Sequence, residues 1–259
     1  MPSSDATRAD CKLPAVDARL VAPESRFEIL DGALVHVSPA DEAHGALHSK
    51  IAALLAAHVA PRFLVAVDLL TRTSRTSDFA PDVSVFPRAR DPQTGGRQLE
   101  QLAFEVVSTE SLNHARRKAA KLVARGVRRV LAIDVKRARV LEWSRARTRW
   151  QVLEVKAHLE DPTLAVPLPI KELVTAAAAD DAMARALAAK KNPVIEAIRS
   201  EGERKVLAEA LLGILTARVV TLKRADRARI LGERNLERLH RWIIRAAICT
   251  DIAQVFGKA

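Results

Sequence analysis

Residues 79–86 read Phe79-Ala80-Pro81-Asp82-Val83-Ser84-Val85-Phe86, and residues 102–107 read Leu102-Ala103-Phe104-Glu105-Val106-Val107. Both are short runs of branched and aromatic residues, the composition of strands buried in a sheet. Each run carries one acid, Asp82 after a proline and Glu105 in mid-run. Neighbouring strands lie about 4.8 Å apart, so the two carboxylates can approach one hard cation. Without a metal or a proton between them they repel. Mg²⁺ takes one or two carboxylates and keeps several waters, which suits a pair of acids. The plainer reading makes both acids polar groups at strand ends or edges.

Outward from this pair, the chain alternates strands and helices. Phe27–Leu30 and Ala33–Val37 flank Asp31-Gly32, the signature of a hairpin. His44–His58 has helical spacing, with Leu47, Ile51, Leu54 and Leu55 on one face. Val65–Thr71 and Phe79–Phe86 read as strands, followed by a loop over Arg88–Arg97 and the strand Leu102–Val107. A helix over Asn113–Arg125 leads to a buried strand at Arg129–Val135, and Arg139–Ser144 with Trp150–Val155 closes a meander. This order predicts an α/β (α+β) fold, a mixed sheet with helices on its faces.

Residues 1–22 are polar and alanine-rich without a period and are expected to form a disordered leader. The sheet-and-helix domain is then assigned to 23–172. Prolines at 162–169 mark a change of composition, and 173–259 is assigned to a helical tail. In that tail Leu207, Leu211, Ile214 and Leu215 make one apolar face, and Leu239, Trp242 and Ile243 belong to another.

Composition narrows the function. The chain has 259 residues and a net charge of +11. Residues 111–150 alone carry thirteen basic and two acidic side chains, which equals that net charge. A positive field this concentrated suits a polyanion such as nucleic acid, although a solvated basic face has the same composition. Aromatics are 3% and tyrosine is absent, which argues against reading single strands by base stacking. No apolar run is long enough for a membrane helix. The first twenty residues lack the apolar core of a signal peptide. With two cysteines at opposite ends of the chain, this fits the cytoplasm. Neither GxxxxGK[ST] nor GxGxxG occurs. His44 and His48 stand at i, i+4, a spacing open to zinc, but without HExxH or a cysteine partner.

The helix over Asn113–Arg125 supplies a third element. Ala115, Ala119, Leu122 and Val123 define its sheet-facing stripe. At about 100° per residue, Lys118 lies roughly 80° from the centre of that stripe and Lys121 about 140°. Lys118 can therefore reach over a strand end toward a phosphate or a metal-bound water, or simply snorkel.

APDVSVF, FEVVS, RRKAAKLVARGV and RRVLAIDV, in this order, together with FEILDGALVHVSPADEAHGAL near the start, resemble the Uma-two family of restriction-endonuclease-like proteins over roughly residues 25–145. The resemblance implies a restriction-endonuclease-like fold and PD-(D/E)xK nuclease chemistry, with the lysine moved from the strand to the following helix. Asp82 and Glu105 would hold Mg²⁺ or Mn²⁺, and Lys118 would take the lysine position. Glu28 and His44 match positions often seen in the family, and His114 stands where the family usually has an acid. Leu122 and Val130-Leu131 replace expected aromatics. Residues 200–256 resemble the helical tails of Rpn-type transposon-associated nucleases.

The expected activity is Mg²⁺-dependent hydrolysis of duplex DNA, with Arg116, Arg117, Lys121, Arg125, Arg128 and Arg129 holding the phosphate backbone and the tail able to join two copies. The alternative is a catalytically inactive nucleic-acid-binding or regulatory protein on the same fold.

Overall fold

The computed structural model describes residues 13–22, 27–37, 42–108, 111–175, 179–218 and 220–257. It contains β1 (Phe27–Leu30), β2 (Ala33–His36), α1 (Glu42–His58), β3 (Phe63–Val67), β4 (Thr71–Ser74), β5 (Ser77–Phe79), β6 (Val83–Pro87) and β7 (Leu102–Val107). There follow α2 (Leu112–Arg125), β8 (Arg129–Asp134), β9 (Arg139–Ser144), β10 (Arg149–Val152), β11 (His158–Leu159), β12 (Leu168–Pro169), α3 (Ile170–Val174) and α4 (Ala179–Ala189). The C-terminal helices are α5 (Pro193–Ala217), α6 (Arg224–Gly232), α7 (Leu236–Ile248) and α8 (Ile252–Phe256).

Six strands form the main sheet in the order β10-β9-β8-β7-β6-β3. Only β7 and β8 pair in parallel within it, with α2 as the connection that a parallel pair requires. A smaller sheet runs β2-β1-β5-β4. The sheet is mixed and flanked by helices, with helices at the C-terminus, as expected. The hairpin turn takes the Asp31-Gly32 form, both residues at positive φ (55° and 79°), the geometry that matches strand twist.

One expected strand is divided. Phe79–Phe86 breaks at Ala80-Pro81-Asp82, because proline donates nothing to a ladder. Phe79 lies in the core of the small sheet with Leu30, Ala119 and Leu122, whereas Val83 and Val85 lie in the larger core beneath α1. The chain crosses from one sheet to the other at this turn, and Asp82 sits on the crossing. Val65–Thr71 divides likewise, since β3 ends at Val67 and Thr71 opens β4 in the other sheet.

The disordered-leader expectation is corrected for residues 13–22; residues 1–12 lie outside the described residues. Val16 and Val21 are buried, Asp78 Oδ2 accepts from the Leu20 and Val21 amides, and Asp17 accepts from the Arg97 amide. A polar, aperiodic segment is ordered here by hydrogen bonds in both directions with distant parts of the chain, the Asp78 carboxylate of β5 and the Arg97 amide.

The chain divides into two compact units, residues 1–190 and 191–259, rather than at 172/173. The alanine-rich segment joins the first unit because Ala182 and Ala186 on α4 are buried, and small side chains allow α4 to lie along α1. The second unit has its own core, formed by Ala208, Leu211, Leu215, Ile230, Leu239, Trp242, Ala246 and Val255.

Candidate active site

Strand alternation turns Ala103 and Val107 toward α2 and Phe104 and Val106 toward the α1 core, so Glu105 faces α2. Val83 pairs with Phe104, which sets Asp82 one position beyond the ladder, beside Glu105. The Val106 amide donates to Asp82 Oδ2 at 2.5 Å. The carboxylate thus replaces the main-chain acceptor that the broken strand no longer supplies.

Lys118 is 6% exposed, deeper than a position at the border of the stripe. Its Nζ donates to Ala80 O at 2.8 Å and lies 3.2 Å from Glu105 Oε2 and 3.5 Å from Glu28 Oε1. The Phe79 ring closes the remaining side, 5.7 Å from the ammonium. Glu28, from β1 in the small sheet, also accepts from the Ala80 amide at 2.8 Å. The two sheets and α2 therefore meet on one ammonium group. An ammonium has three N–H donors, and Ala80 O, Glu105 Oε2 and Glu28 Oε1 all lie within reach of this one.

From α1, His44 Nε2 lies 3.7 Å from Asp82 Oδ1, and its Nδ1 is 3.2 Å from Ser108 Oγ. One turn on, His48 Nε2 hydrogen-bonds the main-chain oxygen of Asp82, which also accepts from the Asp68 amide at 3.2 Å. Asp68 holds a left-handed φ of 48°. In the sequence His48 carries no signal beyond a zinc spacing. Among the described residues no group of three His, Cys, Asp or Glu side chains could hold a metal. The i, i+4 spacing instead aims both rings at Asp82, His44 at its carboxylate and His48 at its backbone.

Burial drives the Glu105 carboxyl well above its ordinary value; Lys118 opposes this and Asp82 and Glu28 add to it. Burial also pushes Asp82 up, but the His44 imidazole, the Lys118 charge and the Val106 amide outweigh it and leave the carboxyl below its ordinary value. Asp68 is raised, by burial first and then by Asp82 against the pull of His48.

Glu105 Oε1 is buried and has no hydrogen-bond partner among the described residues. A buried oxygen without a donor is costly. Glu105 and Asp82, each one position beyond the Val83–Phe104 pair of the β6–β7 register, would offer two carboxylates, a donor set that fits a hard divalent cation completing its shell with water.

Of the six proposed phosphate holders, four are tied into the fold. Lys121 pairs with Asp31 of the hairpin turn, and Arg125 donates to the Pro14 carbonyl. Arg128 pairs with Asp161, and Arg129 grips Glu142 through two bonds of 2.6 and 2.9 Å. Arg129 also pairs in register with Leu102, at the end of β7 away from Val107. Arg116 and Arg117 are exposed on α2, and His114 is half-buried in its first turn.

The chain can be set beside known proteins. No curated protein matches it. A crystal structure described as "a putative nuclease belonging to DUF820", from Anabaena variabilis ATCC 29413, aligns with a TM-score of 0.47 and 20% identity, over 57% of this chain and 88% of that one. A family model described as "Putative restriction endonuclease" matches residues 13–178, the stretch that holds the sheets, Asp82, Glu105 and Lys118. That match spans more than half of the sequence, and the chain belongs to the Uma2 family that this description names.

Proposed function

We propose that the chain is a Mg²⁺-dependent endonuclease (Mn²⁺ serving equally) that hydrolyses phosphodiester bonds of duplex DNA, with Asp82 and Glu105 holding the cation. The observation that carries this reading is the unpartnered, buried Glu105 Oε1 beside Asp82. When bound, a divalent cation supplies a polarised scissile phosphate and a coordinated water of lowered pKa. The remaining work falls to the chain. Lys118 fixes Glu105 through Oε2 and so aims Oε1, and its charge offsets negative charge gathering on the phosphoryl group. Its contacts with Ala80 O and Glu28 fix the turn that presents Asp82. His44 and His48 hold that aspartate from the other side. Arg116 and Arg117 supply exposed charge for the DNA backbone. Two cysteines at opposite ends of the chain favour the cytoplasm as its location.

Nicking of supercoiled plasmid by the purified full chain tests the reading. Cleavage with Mg²⁺ that vanishes in EDTA and in Asp82→Asn supports it. Metal-independent cleavage, or wild-type rates in Asp82→Asn, would overturn it. DNA binding without cleavage would select the alternative of a non-catalytic nucleic-acid-binding protein.

A further inference from the structure

A recess of about 310 Å³ opens beyond the carboxyl ends of β7 and β8, lined by Ser108, Ser111, Leu112, Asp134, Lys136 and Arg137, with Val107 at its floor. Its position follows from the parallel pairing. Val107 lies opposite Asp134, so the two strands end together, and the recess is lined by Ser108, Ser111 and Leu112 after the one and by Lys136 and Arg137 after the other. Ligands in open α/β sheets gather at such carboxyl ends.

Among the described residues the lining carries two cations, Lys136 and Arg137, and one acid, Asp134. Asp134 is 2% exposed and lies 3.3 Å from Arg137 Nη1 and 3.0 Å from Arg139 Nε. Its charge is thus met by Arg137 within the lining and by Arg139 beyond it, which leaves the exposed Lys136 as the lining's cation in excess. Ser108 and Ser111 bring hydroxyl groups to the opposite wall. Ser111 is the N-cap of α2, so the positive end of a fourteen-residue helix borders the same space. The recess is also joined to the candidate active site. Ser108 Oγ, on its wall, is 3.2 Å from His44, whose other ring nitrogen is 3.7 Å from Asp82.

We propose that this recess is a phosphate subsite. It takes the backbone phosphate of a nucleotide neighbouring the scissile bond, with Lys136 as its point charge and Ser108 and Ser111 as its hydrogen-bonding groups. The proposal rests on the nuclease reading above and adds to it the place where the substrate strand continues. Arg128 and Arg129, suited to this task by charge alone, are occupied elsewhere; Lys136 does not stand out in the sequence, because one lysine in a basic segment carries no distinguishing pattern.

Two measurements on the full chain separate this inference from the nuclease reading. The first needs no metal and no turnover. A thymidine dinucleotide carrying a 5′ phosphate is titrated in EDTA while the amides of Leu112 and Asn113 and the Trp150 indole are followed by NMR; that indole donates to Leu112 O at 3.4 Å. Saturable shifts are expected in the wild type. Lys136→Gln should weaken them up to about fivefold, the weight of one exposed charge pair. Arg145→Gln, an equal loss of charge at an exposed turn, should leave them unchanged. Absent shifts in the wild type, equal titration in Lys136→Gln, or saturation by inorganic phosphate but not by the dinucleotide would overturn the subsite. The second measurement is cleavage. Lys136→Gln should raise KM with kcat held within about twofold, and the dependence of log KM on log salt should become shallower by roughly 0.9. A wild type that binds the dinucleotide but does not cut sinks the nuclease reading alone. A wild type that cuts with Lys136→Gln unaltered in KM and salt slope sinks the subsite alone.

Discussion

Lys118 Nζ lies 3.2 Å from Glu105 Oε2, which ties α2 to the strand carrying one of the two acids, while the same ammonium holds the turn that presents the other through Ala80 O at 2.8 Å. A lysine placed in this way positions both carboxylates, and its loss should disturb more than charge.

Replacing Lys118 and Lys121 should therefore give different results. Lys118→Ala leaves Glu28 and Glu105 buried without their counter-ion, and removing one partner of a buried pair costs about 3–5 kcal/mol. Lys121 pairs with the exposed Asp31, and such pairs are worth about 0–1 kcal/mol. Lys118→Ala should lose both nicking and several kcal/mol in urea unfolding, and Lys121→Ala little of either. Equal losses in the two variants would refute the arrangement.

Glu105 sets a pH dependence for the metal-free protein. Its carboxyl is raised in the folded state well above the ordinary 4.5, so folding favours the protonated form. That contribution is complete below about the unfolded value and disappears as pH rises through the folded one. Asp82 is lowered and acts oppositely, losing its contribution only as pH falls below the ordinary 3.8. Between these limits the melting temperature in EDTA should fall with rising pH, and Glu105→Gln should flatten the fall. Divalent cations should raise the melting temperature of the wild type at the alkaline end and leave Glu105→Gln unmoved. A wild-type profile that matches the variant's across this range would exclude Glu105 as the source.

The basic residues should separate by location. Arg129→Ala removes a two-bond grip on Glu142, so melting should drop while DNA affinity holds. Arg116→Ala with Arg117→Ala should leave melting unchanged and weaken duplex binding. The salt slope of that binding should also fall by about 0.9 for each phosphate no longer neutralised. Fluorescence anisotropy in Ca²⁺ or EDTA reads this without turnover, and a reversed pattern would return Arg129 to the DNA face.

How far the sequence discloses this site depends on the range of each interaction. The hairpin, β7, β9 and α2 follow from local pattern, because period and turn chemistry act within a few residues. Asp82 and Glu105 stand out as acids in apolar strands, and the resemblance singles out Lys118. The break at Ala80-Pro81-Asp82 is hidden because Phe79 and Val83 are equally apolar and differ only in which core they enter. The anchoring of residues 13–22 depends on Asp78, some 57 residues away, and no local pattern marks a buried acceptor at that distance. Arg128 and Arg129 read as phosphate holders for the same reason. Charge can be counted along a chain, but partners such as Asp161 and Glu142 are chosen by the fold.

The unit over residues 191–259 should fold by itself. Leu211 and Leu215 on α5, Leu239 and Trp242 on α7, Ile230 on α6 and Val255 on α8 are buried together. Trp242 meets Phe256 edge-on at 4.8 Å, and the Arg229 guanidinium covers the Phe256 ring at 4.3 Å. Asn192, Asn235 and Asp251 cap α5, α7 and α8 through side-chain acceptors. These are the ingredients of cooperative folding, but a unit this small buries a modest fraction of its surface and has little stability to spare. Trp242→Ala, at about 3–5 kcal/mol, should therefore unfold the isolated fragment, seen as loss of its helical circular dichroism and cooperative melt. The same unit exposes Val194, Ile198, Val206, Ile244 and Ile248, each more than 60% accessible. A second copy covering these positions would give a chain that dimerises in full length and is monomeric when truncated after Lys190. The truncated chain should still nick DNA, since Asp82, Glu105 and Lys118 all lie within residues 1–190. Light scattering at tens of micromolar decides the association: a monomeric full-length chain, or a dimer that survives the truncation, would remove self-association from this unit.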